Sequence, residues 1–227
     1  MKLYEKLLRK IGWWKDPPPV VHETQVFNPI NTKVGQSVTI DTLDYRKLTF
    51  FVKEVRENNV SMGGSYKFTD YVCQARPVSG PDVWVRLRMI PDPDPSTRLT
   101  HRTIVLSLYD ELAYNEGLHN SVKDAEGTGK FVVDDASAGL HEEYWRVNDV
   151  KLSYTSSVTA MKDENNDGRV DANEVKTESV EFWDYSRMTN IEGVETEQFV
   201  FVEMNKATGW FQIWRGNDVN PESVSVY

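Results

Sequence analysis

The chain has 227 residues, enough for one large β domain or two small ones with a packed core. Its net charge of -9 argues against nucleic acid as a partner, because binding phosphates needs a basic face. A single cysteine, Cys73, excludes an intramolecular disulfide, and no run approaches the ~18 apolar residues of a membrane-spanning helix. Glu5, Lys6, Arg9 and Lys10 interrupt the apolar run a signal peptide needs, so a cytoplasmic location is expected.

Residues 1–15 read as an amphipathic basic helix. Leu3, Tyr4, Leu7, Leu8, Ile11 and Trp14 recur at helical spacing. Lys2, Lys6, Arg9, Lys10 and Lys15 stand against Glu5, a net of +4 that leaves -13 for the rest of the chain. Such a helix, with Trp13 and Trp14 at headgroup level, suits a membrane surface or a membrane-associated protein partner. Packing on its own domain is the competing expectation. Asp16-Pro17-Pro18-Pro19 ends the helix, since proline lacks the N–H and bars helical geometry from its predecessor. Residues 16–33 therefore read as a Pro-rich linker.

Residues 34–227 read as an acidic β-rich domain. Val83, Val85, Leu87 and Met89 alternate with Trp84, Arg86 and Arg88, and Ile104, Leu106 and Leu108 alternate with Val105, Ser107 and Tyr109. A period of two predicts half-buried strands. Further strands are predicted at 37–42, 48–56, 66–75, 130–134, 143–161, 178–186, 197–204 and 210–215. The last two flank Asn205 to Gly209, a hairpin loop ending in glycine. Gly63-Gly64, the proline-interrupted Pro91 to Pro95 and residues 115–129 read as loops. Only 106–114 shares any helical character with the N-terminus. The expected fold is mainly β, an antiparallel sandwich or barrel. Tyr66 to Tyr71 is echoed by Val180 to Tyr185, each followed by an aromatic strand and then one led by Trp84 or Trp210, which suggests two related β units.

Residues 163–174 resemble the EF-hand calcium loop. Calcium takes six to eight hard oxygen ligands, and the twelve-residue loop supplies them from fixed positions. Here those positions hold Asp163, Asn165, Asp167, Arg169 (through its carbonyl), Asp171 and Glu174. Gly168 permits the sharp turn at the sixth place, Val170 is the apolar eighth, and Glu174 can give both oxygens. Magnesium is disfavoured, because it keeps several waters in a small octahedron. A plain acidic turn is the alternative, although a turn needs neither the terminal acid nor the apolar eighth residue. The flanks read as strands, so the loop is expected on a β-hairpin as a structural clip and not as a helix-opening switch.

Enzyme signals are sparse. His22, His101, His119 and His141 sit in no metal-ligand spacing, and no nucleophile elbow, phosphate loop or dinucleotide fingerprint occurs. Cys73 reads as a small core residue. Glu142 and Glu143 beside Tyr144-Trp145 could flank a sugar-like ligand or begin a solvated strand.

The segment from Asn28-Pro29-Ile30-Asn31-Thr32-Lys33 to Asp41, with the endings Phe199 to Met204 and Trp210 to Gly216, resembles bacterial domain families without assigned function. These occur beside phage-shock-protein-A-type membrane-remodelling proteins. The resemblance implies a cytoplasmic accessory role at the membrane surface and supplies no site residues. The expected function is that of a non-enzymatic calcium-binding β protein at a membrane or on a membrane-associated partner. A barrel binding a small cationic molecule such as a polyamine, and a hydrolase with a hidden site, are the alternatives.

Overall fold

The computed structural model describes residues 25–26, 32–42, 44–46, 48–61, 65–91, 101–123, 129–135, 139–147, 154–191 and 193–227. The helix expected at 1–15, most of the linker at 16–33, and Gly63-Gly64 lie outside them. The described residues form thirteen β-strands, one α-helix and two short 3-10 turns.

Two four-stranded meanders carry the architecture. The first runs through β3 (Thr49–Ser61), β4 (Ser65–Ala75), β5 (Val83–Pro91) and β6 (His101–Leu112), each antiparallel to the next. The second runs through β9 (Tyr154–Lys162), β10 (Val175–Ile191), β11 (Val194–Asn205) and β12 (Phe211–Val219). First pairs with first, β3 on β9, and last with last, β6 on β12. The circuit closes into an eight-stranded antiparallel barrel, which removes the exposed edges that an open sheet would keep. At the β6–β12 seam a Cβ on Gly216 would stand 1.7 Å from the carbonyl oxygen of Val105, so only glycine fits.

The echoed segments occupy matching places, the second strand of each meander. Phe68 and Phe182 meet in one cluster, edge to face at 6.1 Å, while Tyr71 and Tyr185 lie in separate clusters on the outer wall. The tryptophans do not match, since Trp84 lies on the third strand of its meander and Trp210 precedes the fourth of the other.

Two layers cover the barrel's outside. β1 (Gln25–Val26), β13 (Val224–Val226) and β2 (Ser37–Ile40) extend the sheet from the start of β3, which has a bulge between Val52 and Glu54. Val38, Ile40 and Val224 of this layer, with Phe50 at the start of β3, pack on Tyr71, Cys73, Val85 and Leu87 of the barrel. On the other side the β7–β8 hairpin (Lys130–Asp135, Leu140–Arg146) and helix α1 (Glu116–Lys123) cover β10 to β12. There Val122, Phe131 and Tyr144 pack on Trp183, Val200 and Phe211.

Four local expectations change. Residues 106–112 belong to β6, not to a helix, because barrel pairing on both sides supplies their hydrogen bonds. The helix forms instead at 116–123, inside a predicted loop. The Asn115 side chain accepts from the Leu118 N–H at 2.8 Å, Glu116 stands in the first turn and Lys123 in the last. The strand expected at 143–161 is two strands, β8 and β9. β5 also departs from a half-buried strand, since Val85, Arg86, Leu87, Arg88 and Met89 are all buried. Its apolar face meets the covering layer and its arginines point into the barrel.

Candidate functional site

Loop 163–174 joins β9 to β10, which pair antiparallel, so it sits on a β-hairpin as expected. Its turn needs two left-handed residues, Asn166 at φ 57° and Gly168 at φ 80°. The carboxylates fasten the loop from within. Asp163 accepts from the N–H groups of Asp167 and Gly168, both at 3.0 Å. Glu174 Oε1 accepts from the N–H groups of Glu164 (3.1 Å) and Asn165 (3.2 Å) and from the Asn165 amide (2.9 Å), while Oε2 accepts from the Asp171 N–H at 2.8 Å. Asp167 accepts from the Arg169 N–H at 2.9 Å. A 3-10 turn, Ala172–Glu174, delivers Glu174 inward.

Asp163 and Glu174 are only 5% and 2% exposed, whereas Asn165, Asp167, Arg169 and Asp171 are exposed. Neither buried carboxylate has an ion-pair partner among the described residues. Nearby Lys176 pairs with Glu164, and Lys53 donates to the Asn166 side chain at 2.9 Å. Among the described residues no three His, Cys, Asp or Glu side chains converge in a metal-holding group. The structure thus turns Asp163 and Glu174 onto the loop's own N–H donors, sets the Asn165 amide against Glu174, and leaves the Asp167 and Asp171 carboxylates exposed at the rim, Asp167 accepting from the Arg169 N–H. The loop is pinned from outside as well. The Asp163 N–H donates to the Lys53 carbonyl at 3.1 Å, and the chain at Gly35 presses on Gly168 so closely that a Cβ there would lie 2.7 Å from its carbonyl oxygen.

Gly168, Arg169 and Val170 also wall a cavity of about 910 Å³ on the barrel's outside. Thr32, Lys33 and Val34 form the facing side, over a floor of Val55, Tyr71, Met89 and Met161. Its charged residues are Lys33, Lys67, Arg169 and Glu57, with His101 beside them. Burial holds His101 below its ordinary pKa, so it is neutral near pH 7.

The barrel interior holds a second polar centre that sequence reasoning missed. Asp70 on β4 takes Arg88 Nε at 2.8 Å and a second Arg88 nitrogen at 2.9 Å. Glu203 on β11, across the lumen, takes Arg86 at 2.6 Å and Arg88 at 2.7 Å. Arg86 lies over the Trp214 ring at 4.0 Å, and Arg88 over Phe68 at 4.5 Å and Phe201 at 4.3 Å. Two cations and two carboxylates form a neutral, desolvated quartet that crosslinks opposite walls. The available signal was charge at inward positions of predicted strands.

The remaining candidates are engaged in ion pairs, hydrogen bonds or the core. Glu142 pairs with both Arg187 and Arg215, joining β8 to β10 and β12, and Glu143 pairs with Lys130 at 2.7 Å. His119 meets the Tyr114 hydroxyl at 3.0 Å, His141 lies 3.8 Å from Asp134, and His101 stands at the groove, so these three are dispersed. Cys73 is fully buried, and burial pushes its thiol far above the usual range. No protein-family model, curated protein or solved structure matches the chain.

Proposed function

We propose that the protein is a non-enzymatic, calcium-binding β-barrel that works at the cytoplasmic surface of a membrane or on a membrane-associated partner. The observation that carries the calcium reading is the pair Asp163 and Glu174, two buried carboxylates without an ion-pair partner among the described residues, in a loop with oxygen donors at all six ligand positions. Buried charges are ordinarily paired or bound to a metal. The donor set fits calcium. Asp163, Asp167, Asp171 and Glu174 offer carboxylates, Arg169 its carbonyl, and Asn165 its amide oxygen once the amide turns from Glu174. The ion would neutralise this acidity. The chain's own residues would then tie the end of β9 to the start of β10 and hold both against the Gly35 turn. The basic segment 1–15, on an otherwise acidic chain, supports the membrane part of the reading.

Thermal unfolding in chelator and in millimolar calcium tests the clip. An ion bound only by the folded state stabilises it by about 2.7 kcal/mol at a hundredfold excess over Kd. Asp163→Ala and Glu174→Gln should each abolish the gain. A melting temperature that does not respond to calcium sinks the proposal.

A further inference from the structure

We propose that the groove between loop 163–174 and residues 32–34 binds a free single-chain anionic amphiphile, with its acyl chain on the barrel wall and its anionic head among Lys33, Lys67 and Arg169. The cavity of about 910 Å³ lies in the ~300–1,000 Å³ range of small-molecule sites. Its floor of Val55, Tyr71, Met89 and Met161 continues the apolar face that β2 and β13 cover elsewhere. Val34 and Val170 close it from the two sides.

Charge selects the occupant. Three cations face the single acid Glu57, on a chain of net charge -9. None of the three cations is in an ion pair with a described residue. Unpaired positive charge beside an apolar floor on an acidic body attracts an anion with a tail and repels an alkylamine. The same argument disfavours the chain's own head as occupant, because residues 1–15 carry +4. The groove stands apart from the calcium reading, since the loop enters only as a wall.

Calorimetric titration of the full chain tests this, in chelator so that the outcome does not depend on calcium. The probes are dodecanoate, held below its micelle concentration, and dodecyltrimethylammonium of equal chain length. One dodecanoate should bind per chain, with the cation at least roughly tenfold weaker, a difference of ~1.4 kcal/mol. Lys67→Glu combined with Arg169→Glu should weaken dodecanoate by roughly tenfold or more, while Lys67→Arg keeps it. Both positions are exposed, so the variants should melt like the parent. Thr69→Trp, which fills the groove from β4, should block both probes. Equal binding of the two probes, or indifference to the double charge reversal, overturns the proposal. So does a full chain that takes up no dodecanoate, including one whose groove its own head already fills.

Discussion

Asp70→Asn is the most direct probe of what holds the barrel together. The substitution keeps shape and removes one of the quartet's two negative charges. Asp70, Arg86 and Arg88 are at most 1% exposed and Glu203 7%, so water cannot compensate the cation left behind. Breaking a buried pair by removing one partner costs about 3–5 kcal/mol. Adding Arg88→Met restores neutrality around the remaining Arg86–Glu203 pair at 2.6 Å. The double variant should therefore fall short of the summed single costs by ~0.5–3 kcal/mol, the usual range for coupled neighbours. Urea unfolding followed by tryptophan fluorescence measures this, because Trp183 and Trp214 are buried. A loss below ~1 kcal/mol, or strict additivity, would refute the coupling. Acid provides a second reading. Burial opposes the charge of Glu203, but Arg86, Arg88 and Arg56 outweigh it and hold its carboxyl well below the usual range. A depressed folded value means that the stabilisation is complete above the unfolded pKa near ~4.3 and is lost as pH falls from there toward the folded value. Glu203→Gln should flatten that part of the acid-unfolding curve.

Gly35→Ala should destabilise by about 1–3 kcal/mol, since φ is +87° and the new Cβ would meet the backbone of Gly168. Calcium affinity should fall with it if loop and turn form one unit, which a titration of the variant would show. Cys73 should resist iodoacetamide in the folded protein and react at the rate of unfolding, as its thiol is buried and its pKa raised; rapid labelling under native conditions would contradict its place in the core. Anionic vesicles should bind the full chain at low salt and release it as salt rises, because attraction reaches only about 8 Å at physiological ionic strength. Lys6→Glu with Arg9→Glu and Lys10→Glu should abolish sedimentation with vesicles without changing the melt; unchanged binding would exclude the head as the membrane contact.

What was legible in the sequence was local. The spacing of Asp163, Asn165, Asp167, Gly168 and Glu174 belongs to one short segment, so a turn with inward carboxylates could be read without knowing the fold. Strand period was equally legible in Val85, Leu87 and Met89. Periodicity, however, says which residues share a face, not which face is dry. On β5 both faces are buried, because Arg86 and Arg88 find Asp70 and Glu203 inside the barrel. Closure was not legible either, because it depends on pairing β3 with β9 and β6 with β12, strands far apart in the chain. The groove's cations come from three separate segments, and no local pattern gathers Lys33, Lys67 and Arg169.

The barrel's own packing explains where a ligand has room. An eight-stranded barrel is just wide enough for side chains to fill or for one small ligand. Here Ile104, Leu106, Phe199, Phe201 and Trp214 fill one part of the lumen and Val60, Phe68, Tyr154 and Phe182 another, with the quartet between opposite walls. A large apolar ligand of the kind proposed for the groove would therefore find room on the outer wall and not in the lumen. Over β10 to β12 that wall is packed under helix α1 and the β7–β8 hairpin. Over β3 to β5 the covering layer packs on Cys73, Val85 and Leu87, while Val55, Tyr71 and Met89 continue past it as the groove floor, bounded by Val34 and loop 163–174. The same loop that carries the oxygen donors therefore borders the large apolar cavity, and the two properties meet in the contact between Gly35 and Gly168.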